Sequence, residues 1–159
     1  MERLKIYFDT SVISAHFDSK KSNRQNITVK WFENEAEDYE GYISGLVLQE
    51  IENNSDSSLR DKMIGFIKIK QLDVLEINED IMALSKLYRN EILTDELNDT
   101  IHIATATYYG LNIIASWNFK HIVNFKTISK IHEINLKNNY PLIEILTLEN
   151  LEGSKYGSL

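Results

Sequence analysis

The sequence predicts a three-layer α/β/α fold, in which helices cover both faces of a central, mainly parallel sheet of about five strands. Short apolar runs alternate with longer stretches whose apolar residues recur at helical spacing. The first run, residues 4–8, is almost continuously apolar, which is typical of a strand buried on both faces. The 159 residues contain no repeat and no linker, so we expect one domain over residues 1–150 and a short tail over 151–159.

Five segments are predicted to be strands, because each is a short apolar run bounded by polar or turn-forming residues. They cover residues 4–9, 42–44, 72–77, 112–116 and 142–146. Strands that alternate with helices pair in parallel through right-handed crossovers. Their carboxyl ends therefore meet at one edge of the sheet, where folds of this class bind ligands.

The segments between the strands are predicted to be helical, because their apolar residues lie three or four positions apart. They begin near residue 10 and then cover about 26–40, 46–52, 59–67, 81–88, 98–109 and 119–135. We expect Asn78 to cap the helix that carries residues 81–88, since asparagine is a favoured N-cap. Gly41 and Gly110 are expected to end the helices that precede them, since glycine is a common helix stop.

The composition excludes several classes of protein. Cysteine is absent, so there are no disulfides and no thiolate metal sites. The amino-terminal residues lack the apolar core of a signal peptide, and no apolar run approaches the roughly 20 residues of a membrane span. We therefore expect a soluble protein that acts in the cytoplasm and has no membrane partner.

The charge distribution bears on nucleic-acid binding. The net charge is −7, with 17 Lys and Arg against 24 Asp and Glu, and this balance disfavours long-range attraction of phosphates. Residues 19–30 and 118–132 are exceptions, because both segments contain basic residues and no acid. The basic residues predicted to contact RNA phosphates are Lys20, Lys21, Arg24, Lys120, Lys126 and Lys130. Such runs, when they stand alone, are more often ordinary solvated faces.

Three acids and an amide are predicted at the active edge of the sheet. Asp9 follows the first strand, Glu50 lies in the helix after the second, Asp99 begins a later helix, and Asn118 follows the fourth strand. Each acid alone is explained as a helix cap, a solvated side chain or a charge favoured by the helix dipole. Two carboxylates about 4 Å apart repel by roughly 4 kcal/mol at an effective dielectric constant of 20. A cluster of three therefore shifts its pKa values or recruits a hard cation such as Mg2+ or Mn2+, which suits phosphodiester hydrolysis.

Other chemistries lack their motifs. The chain has no glycine-rich nucleotide loop and no G-x-S-x-G nucleophile turn. Its four histidines show no zinc spacing, and we expect His102 and His121 to serve packing or hydrogen bonding. An aspartyl-phosphate enzyme with Asp9 as nucleophile stays open as a weaker alternative, although the second acid two residues later is missing.

Four stretches, in chain order, resemble motifs of the PIN-domain nucleases: YFDTSVIS, ISGLVLQEI, LNDTIHIATA and IIASWNFKHIVN. The resemblance covers nearly the whole chain and is closest to the VapC-like toxin ribonucleases of bacterial toxin–antitoxin pairs. It implies a compact α/β/α domain that binds Mg2+ or Mn2+ through acidic residues and cuts RNA. It places the metal ligands on Asp9, Glu50, Asp99 and Asn118, and an assisting hydroxyl on Ser116. It also implies a homodimer and a small antitoxin protein that blocks the site.

Asn118 departs from the family pattern, because many members carry aspartate at this position. Its amide oxygen can ligate a metal or position a water but brings no charge, so we expect a lower metal affinity. Two alternatives to a ribonuclease therefore stay open. One is a PIN-like RNA-binding or scaffold module with negligible catalysis, and the other is a phosphotransfer or receiver-like domain. We expect Asp9 to be a metal ligand, with helix capping as its second role.

Overall fold

The computed structural model of the protein describes residues 2–92 and 96–151. Within these ranges the strands are β1 (Leu4–Phe8), β2 (Tyr39–Ser44), β3 (Asp73–Leu75), β4 (Ile113–Ala115) and β5 (Glu144–Leu146). All of them pair in parallel, in the order β3-β2-β1-β4-β5. The predicted α/β class with a parallel sheet is therefore confirmed.

The helices of the described residues form a layer on each face of the sheet. They are α1 (Thr10–Ala15), α2 (Ser22–Asn34), α3 (Gly45–Glu52), α4 (Ser57–Ile69), α5 (Glu79–Ile92), α6 (Leu97–Tyr108), α7 (Phe125–Lys137) and α8 (Leu148–Leu151). The first four helices and α8 pack among themselves, and α5 packs against α6 and α7. None of these helices is long and apolar enough to cross a membrane.

The central strand β1 is buried on both faces, as its apolar run predicts. Ile6, Tyr7 and Phe8 are at most 1% exposed. Its neighbour β4 is equally buried along Ile113–Ala115. Burial of large apolar side chains on both faces is the main source of stability in such a sheet, and it fixes the positions at which the two strands end.

The helix expected at residues 26–40 begins earlier and ends earlier than predicted. It begins at Ser22 and ends at Asn34, and a short 3-10 turn at 36–38 leads into β2. The helical spacing was misleading because Tyr39 is buried against the ring of Trp31 although its backbone is already extended.

Gly41 was wrongly predicted to end that helix. It lies inside β2, opposite Ile6 of β1. A β-carbon at this position would come within 2.6 Å of Leu72 Cδ2 and 3.1 Å of the Phe8 ring. A side chain at this position would require Leu72 and Phe8 to move, so glycine suits this close approach. Gly110, by contrast, follows α6 with a φ of 67°, so its predicted role at the end of a helix is confirmed.

The helical stretch expected at 119–135 begins later, at Phe125, and extends to Lys137. The backbone carbonyl of Asn118 accepts hydrogen bonds from the N–H groups of Ile122 and Val123, which closes a turn before the helix. The Asn124 side chain then accepts from the N–H of Thr127 at 2.8 Å and caps α7. This cap sets the start of the helix.

The edge strands are shorter than predicted. β3 and β5 each pair with one neighbour over three residues, instead of covering 72–77 and 142–146. The predicted cap of α5 is confirmed, because the Asn78 side chain accepts from the N–H of Ile81 at 2.9 Å. The described part of the chain ends at Leu151, so the tail predicted at 151–159 lies, apart from that residue, outside the described residues.

The strand order reverses between β1 and β4. From β1 the chain builds outward to β2 and β3, and it then returns to add β4 and β5 on the other side. In open parallel sheets, the crevice outside such a reversal is where ligands bind. Asp9 directly follows β1 and Ser116 directly follows β4, so both residues lie at this crevice.

Candidate active site

Asp9 is buried at the crevice and joins the ends of the two central strands. It is 3% exposed and is the N-cap of α1. Its Oδ1 accepts from the Ser11 hydroxyl at 2.5 Å and from the Val12 N–H at 3.3 Å, and its Oδ2 accepts from the Ser116 hydroxyl at 2.5 Å. The predicted capping role of Asp9 is confirmed. Its contact with Ser116, which the sequence did not predict, gives the carboxylate a fixed orientation.

The two serine hydroxyls also order the segment after β4. The Ser11 Oγ accepts from the backbone N–H of Trp117 at 2.9 Å, and the Ser116 Oγ accepts from the N–H of Asn118 at 3.0 Å. The hydroxyls lie 3.4 Å from each other. Asp9, Ser11 and the chain from residue 116 to 118 therefore form one hydrogen-bonded unit.

Glu50, on α3, is held by three donors. Its Oε1 accepts from the Thr10 hydroxyl at 2.7 Å and from His102 Nε2 at 2.7 Å, and its Oε2 accepts from the Asn98 amide at 3.4 Å. Burial raises the pKa of Glu50, but the hydrogen bond and charge of His102 and the hydrogen bonds from Thr10 and Asn98 outweigh it, so the pKa is lowered. Glu50 is therefore ionised at neutral pH.

His102 is buried and connects Glu50 to the central strands. Its Nδ1 lies 2.6 Å from the Tyr7 hydroxyl of β1, which lies 2.8 Å from the Ser44 hydroxyl at the end of β2. Since an ionised Glu50 only accepts, His102 Nε2 donates to it, and in the neutral imidazole Nδ1 then accepts from Tyr7. Burial raises the pKa of Tyr7, so its hydroxyl stays protonated and can donate. The expectation that His102 serves hydrogen bonding is consistent with this chain of contacts.

Asp99 lies in the first turn of α6 and has a different environment. Burial, and to a lesser degree the charges of Asp9 and Glu96, raise the pKa of Asp99 to about 6, against the opposing charges of His102 and His121. Among the described residues, no hydrogen-bond donor and no ion-pair partner contacts its carboxylate. Asp99 is therefore a partly buried carboxyl group whose charge is poorly compensated.

Burial also raises the pKa of Asp9, although the charge of His102 and hydrogen bonds from Ser11, Ser116 and Val12 oppose the shift. The charge of Asp9 contributes to the raised pKa of Asp99, which indicates that the two carboxyl groups lie near enough to interact. Burial disfavours the charged form of both groups, and a bound cation would favour it. Their oxygen donors suit a hard divalent ion that keeps several of its waters.

The described residues do not form a complete metal coordination sphere. In residues 2–92 and 96–151, no group of three or more histidine, aspartate or glutamate side chains converges as metal ligands require. Glu50 is directed toward His102, and Asn118 Oδ1 accepts from the N–H of His121 at 3.0 Å. The structure thus brings Asp9, Ser116 and Asn118 into one unit. Metal binding by Asp9, Glu50, Asp99 and Asn118 stays a prediction.

Three of the six predicted RNA contacts lie together. Lys21, Arg24 and Lys120 line a groove beside Asn118, and Lys20 lies exposed next to Lys21. The other two basic residues are on α7 and do not line this groove. They are Lys126, which is exposed, and Lys130, which lies 3.5 Å from Glu133. The contact of all six basic residues with RNA stays a prediction.

Sequence reasoning did not assign roles to several residues of the site. Thr10 and Ser11 directly follow Asp9, and two hydroxyls after an acid at a strand end were the available signal. Tyr7 and Ser44 gave no signal, because both fit an ordinary buried strand and an ordinary helix cap. Ser44 is at the N-cap of α3, but its hydroxyl makes no capping bond and contacts Tyr7 instead.

Comparison with known proteins places this site in context. The family model described as PIN domain matches residues 6–120, more than half of the chain. A search of curated proteins found no significant match. The fold is similar to that of VapC20 from Mycobacterium tuberculosis, a toxin that cleaves the sarcin–ricin loop, at 14% identity over 72% of this chain and 91% of the toxin, with a TM-score of 0.59.

Two further similar structures are complexes. VapBC2 from Rickettsia felis, bound to a promoter DNA fragment, matches at 13% identity over 89% of this chain and 97% of that chain, with a TM-score of 0.56. DNA-bound VapBC from Salmonella typhimurium matches at 18% identity over 91% of this chain and 98% of that chain, with a TM-score of 0.52. Identities this low establish a shared fold and nothing more.

Proposed function

The chain belongs to the PIN domain family, and from this membership we propose that it is a metal-dependent endoribonuclease that hydrolyses RNA phosphodiester bonds. We propose further that it is the toxin of a toxin–antitoxin pair. The observation that carries the first proposal is a pair of carboxyl groups with raised pKa values: Asp9, which is buried at the strand-order reversal, and Asp99, which is partly buried. Among the described residues, neither carboxyl group forms an ion pair.

The residues present suit Mg2+ or Mn2+. Asp9 and Asp99 would hold the ion, with Glu50 and Asn118 as the further predicted ligands, directly or through water. When bound, such an ion polarises a phosphoryl oxygen and lowers the pKa of a water molecule. Two oxygen ligands and several retained waters are an ordinary magnesium environment, so the lack of a third converging carboxylate does not conflict with the donor set.

The chain's own residues have distinct roles in this proposal. Ser11 and Ser116 fix the plane of the Asp9 carboxylate through both of its oxygens. Thr10 and His102 fix Glu50 Oε1, whereas Oε2 makes only the 3.4 Å contact with Asn98 among the described residues. Glu50 therefore stays ionised and retains an oxygen that can accept a hydrogen bond from an attacking water.

The second proposal rests on the similar structures. VapBC2 and the Salmonella VapBC are complexes bound to DNA, and their fold is shared over about nine tenths of this chain. We propose that a small antitoxin protein covers the crevice at Asp9 and blocks access of RNA. A homodimer and a cytoplasmic location are expected on the same grounds. Light scattering of the purified chain tests whether it forms a homodimer.

The decisive test is RNA cleavage with and without metal. The purified protein is incubated with RNA in excess chelator and then with added Mg2+ or Mn2+, and cleavage is expected only with metal. Asp9→Asn is expected to abolish it, whereas Asp61→Asn, which changes an exposed acid on α4, leaves the rate unchanged. Equal cleavage in chelator would refute the metal dependence. Cleavage by Asp9→Asn at the parent rate would refute the site.

A catalytically weak RNA-binding module is the second candidate, and two observations favour it. Asn118 brings no charge to the fourth ligand position, and Glu50 is directed toward His102. Binding of RNA without cleavage at any metal concentration would select this alternative. Formation of a hydroxylamine-sensitive phosphoaspartate at Asp9 would instead select the phosphotransfer alternative.

A further inference from the structure

A groove of about 490 Å3 lies beside the hydrogen-bonded unit of Asp9. It is formed between the start of the chain's first two helices and the turn after β4. α1, the segment from Asp18 to Arg24, and the turn from Trp117 to Lys120 line it. A volume of this size is in the range of sites that hold small organic molecules, about 300–1,000 Å3.

The wall of the groove contains two aromatic rings that meet edge to face, Trp117 and Phe119, and the guanidinium group of Arg24. The Arg24 guanidinium carbon lies 5.8 Å from the centroid of the Trp117 ring and 5.4 Å from that of Phe119. Trp117 is buried and fixed, because its indole N–H donates to the Thr28 hydroxyl at 3.0 Å. Phe119 is 47% exposed although it is a large apolar residue. A rigid platform therefore presents one exposed ring and one planar cation to the groove.

The charge of the groove is positive in an otherwise acidic protein. Lys21, Arg24 and Lys120 line it, against Asp18 as the acid among its lining residues. Asp18 caps the 3-10 turn at 19–21, since its side chain accepts from the backbone N–H of Lys20 at 3.1 Å. Within residues 2–92 and 96–151, no carboxylate forms an ion pair with these three cations.

The groove is continuous with the candidate active site. Ser11 lines it and donates to Asp9 Oδ1, and Asn118 lines it and donates its backbone N–H to Ser116. A ligand in the groove therefore lies next to the carboxylate to which phosphodiester cleavage is assigned.

We propose that this groove binds one unpaired nucleotide of single-stranded RNA, with its base stacked on Phe119 and Arg24 and its phosphates contacted by Lys21 and Lys120. The inference rests on the proposed function and specifies its substrate class. Bases stack on aromatic rings and on guanidinium planes, and only an unpaired base exposes its faces for such contact. A double helix presents phosphates, 2′-hydroxyls and base edges but no base faces, so it would make no use of the exposed ring of Phe119.

The test measures binding without catalysis. The probe is a pentamer of adenosine nucleotides in excess chelator, compared with the same pentamer lacking its central base. Binding is followed by tryptophan fluorescence, since Trp117 lines the groove whereas the other tryptophan, Trp31, does not. The intact pentamer is expected to bind about tenfold more tightly than the abasic one, and to change the tryptophan emission.

Three variants make the test specific. Phe119→Leu and Arg24→Lys are each expected to remove most of the tenfold preference for the intact pentamer. Leucine has no aromatic ring on which a base can stack, and lysine keeps the positive charge of arginine but lacks its planar guanidinium group. Phe125→Leu is the matched control, since this phenylalanine is 87% exposed but lies outside the groove. The Phe125→Leu variant is expected to prefer the intact pentamer over the abasic one as strongly as the parent protein does.

The outcomes separate this inference from the proposed function. An equal affinity for intact and abasic RNA, or an unchanged preference in Phe119→Leu, would overturn the nucleotide site even if metal-dependent cleavage occurs. A base-dependent preference that persists when no cleavage is found would support the nucleotide site and refute the nuclease. Displacement of the RNA by an acidic peptide at equal concentration would show that the groove recognises negative charge alone. This result would also overturn the inference.

Discussion

Glu50 on α3 and Asp99 on α6 contribute the same kind of charge to one crevice, but the protein surrounds them differently. Glu50 accepts three hydrogen bonds, and its pKa is lowered. The pKa of Asp99 is raised to about 6, chiefly by burial. The protein therefore supplies groups that favour the charged form of Glu50, whereas burial disfavours the charged form of Asp99. This difference predicts that Glu50 is held in place without a metal, and that binding of the proposed cation favours the ionised form of Asp99.

The largest expected effects come from neutralising each carboxylate in turn. Glu50→Gln and Asp99→Asn should each lower the RNA cleavage rate more than about 100-fold, since removal of groups that only support metal ligands already costs 10–100-fold. Their effects on metal-free stability should be opposite. Asp99→Asn removes an uncompensated charge and raises Tm, whereas Glu50→Gln weakens charge-assisted hydrogen bonds and lowers it.

Cleavage kinetics and thermal unfolding in chelator measure both effects. Glu52→Gln, an exposed acid one half-turn beyond Glu50, and Asp61→Asn on α4 are the controls and should change neither quantity. A fall in Tm for Asp99→Asn comparable to that for Glu50→Gln would show that the two carboxylates have equivalent surroundings, which would contradict the comparison.

A smaller effect is expected when the support of Glu50 is removed without touching Glu50. Tyr7→Phe leaves the Nδ1 of buried His102 without its donor, which costs about 1–3 kcal/mol of stability. We expect the cleavage rate to fall by about tenfold, because His102 then orients Glu50 less well. Thermal unfolding and cleavage kinetics are again the measurements.

Tyr88→Phe is the matched control for this change. The Tyr88 hydroxyl is also buried and contacts Thr107 and Asn135, away from the crevice. Its loss should destabilise the protein to a similar degree and leave cleavage at the parent rate. If both variants lose activity equally, the Tyr7 contact is merely structural and the positioning role of His102 is refuted.

The smallest expected effect is a pH dependence of metal-free stability. The folded-state pKa of Asp99 is about 6, above its ordinary value of 3.8, so the folded protein binds a proton more readily than the unfolded chain. Stability from this group therefore increases as the pH falls from about 7 toward about 4.5. The lowered pKa of Glu50 acts in the opposite sense, but only below its ordinary value of 4.5.

Thermal unfolding in chelator at about pH 5 and about pH 7.5 measures this dependence. The parent should gain more Tm on acidification than Asp99→Asn, and added Mg2+ at the higher pH should remove most of the difference. Parallel pH profiles for the two proteins would show that the charge of Asp99 is not uncompensated in solution.

The positions of the strands and of Asp9 could be predicted from sequence because they depend on local patterns. A continuous apolar run, such as residues 4–8, specifies a buried strand, and the first polar residue after it must lie at the sheet edge. Asn118 followed from the same reasoning applied to β4, whereas Ser116 was identified only through the family resemblance. The local patterns gave the order of the elements, but several of their bounds, such as those of α2 and α7, depend on tertiary packing and on caps.

The contacts that distinguish Glu50 from Asp99 could not be predicted. The chain from Ser44 through Tyr7 to His102 joins two strands and a helix, so it depends on the pairing register of β1 with β2. Gly41 was misread for a related reason, since its need for close packing arises from Leu72, far away in sequence. The stacking of Arg24 over Trp117 likewise exists only after α2 packs beside β4.

The buried chain of hydroxyls behind His102 also determines how the site responds to fluctuations. Local opening of a protein exposes groups whose contacts lie at the surface, whereas groups bonded into the central strands are released only with them. Glu50 is bonded through His102 to Tyr7 of the central strand β1, and Tyr7 is fully buried. Its orientation is therefore lost in the same cooperative transition that opens the sheet, and a chain that is still folded at elevated temperature still holds this carboxylate in place.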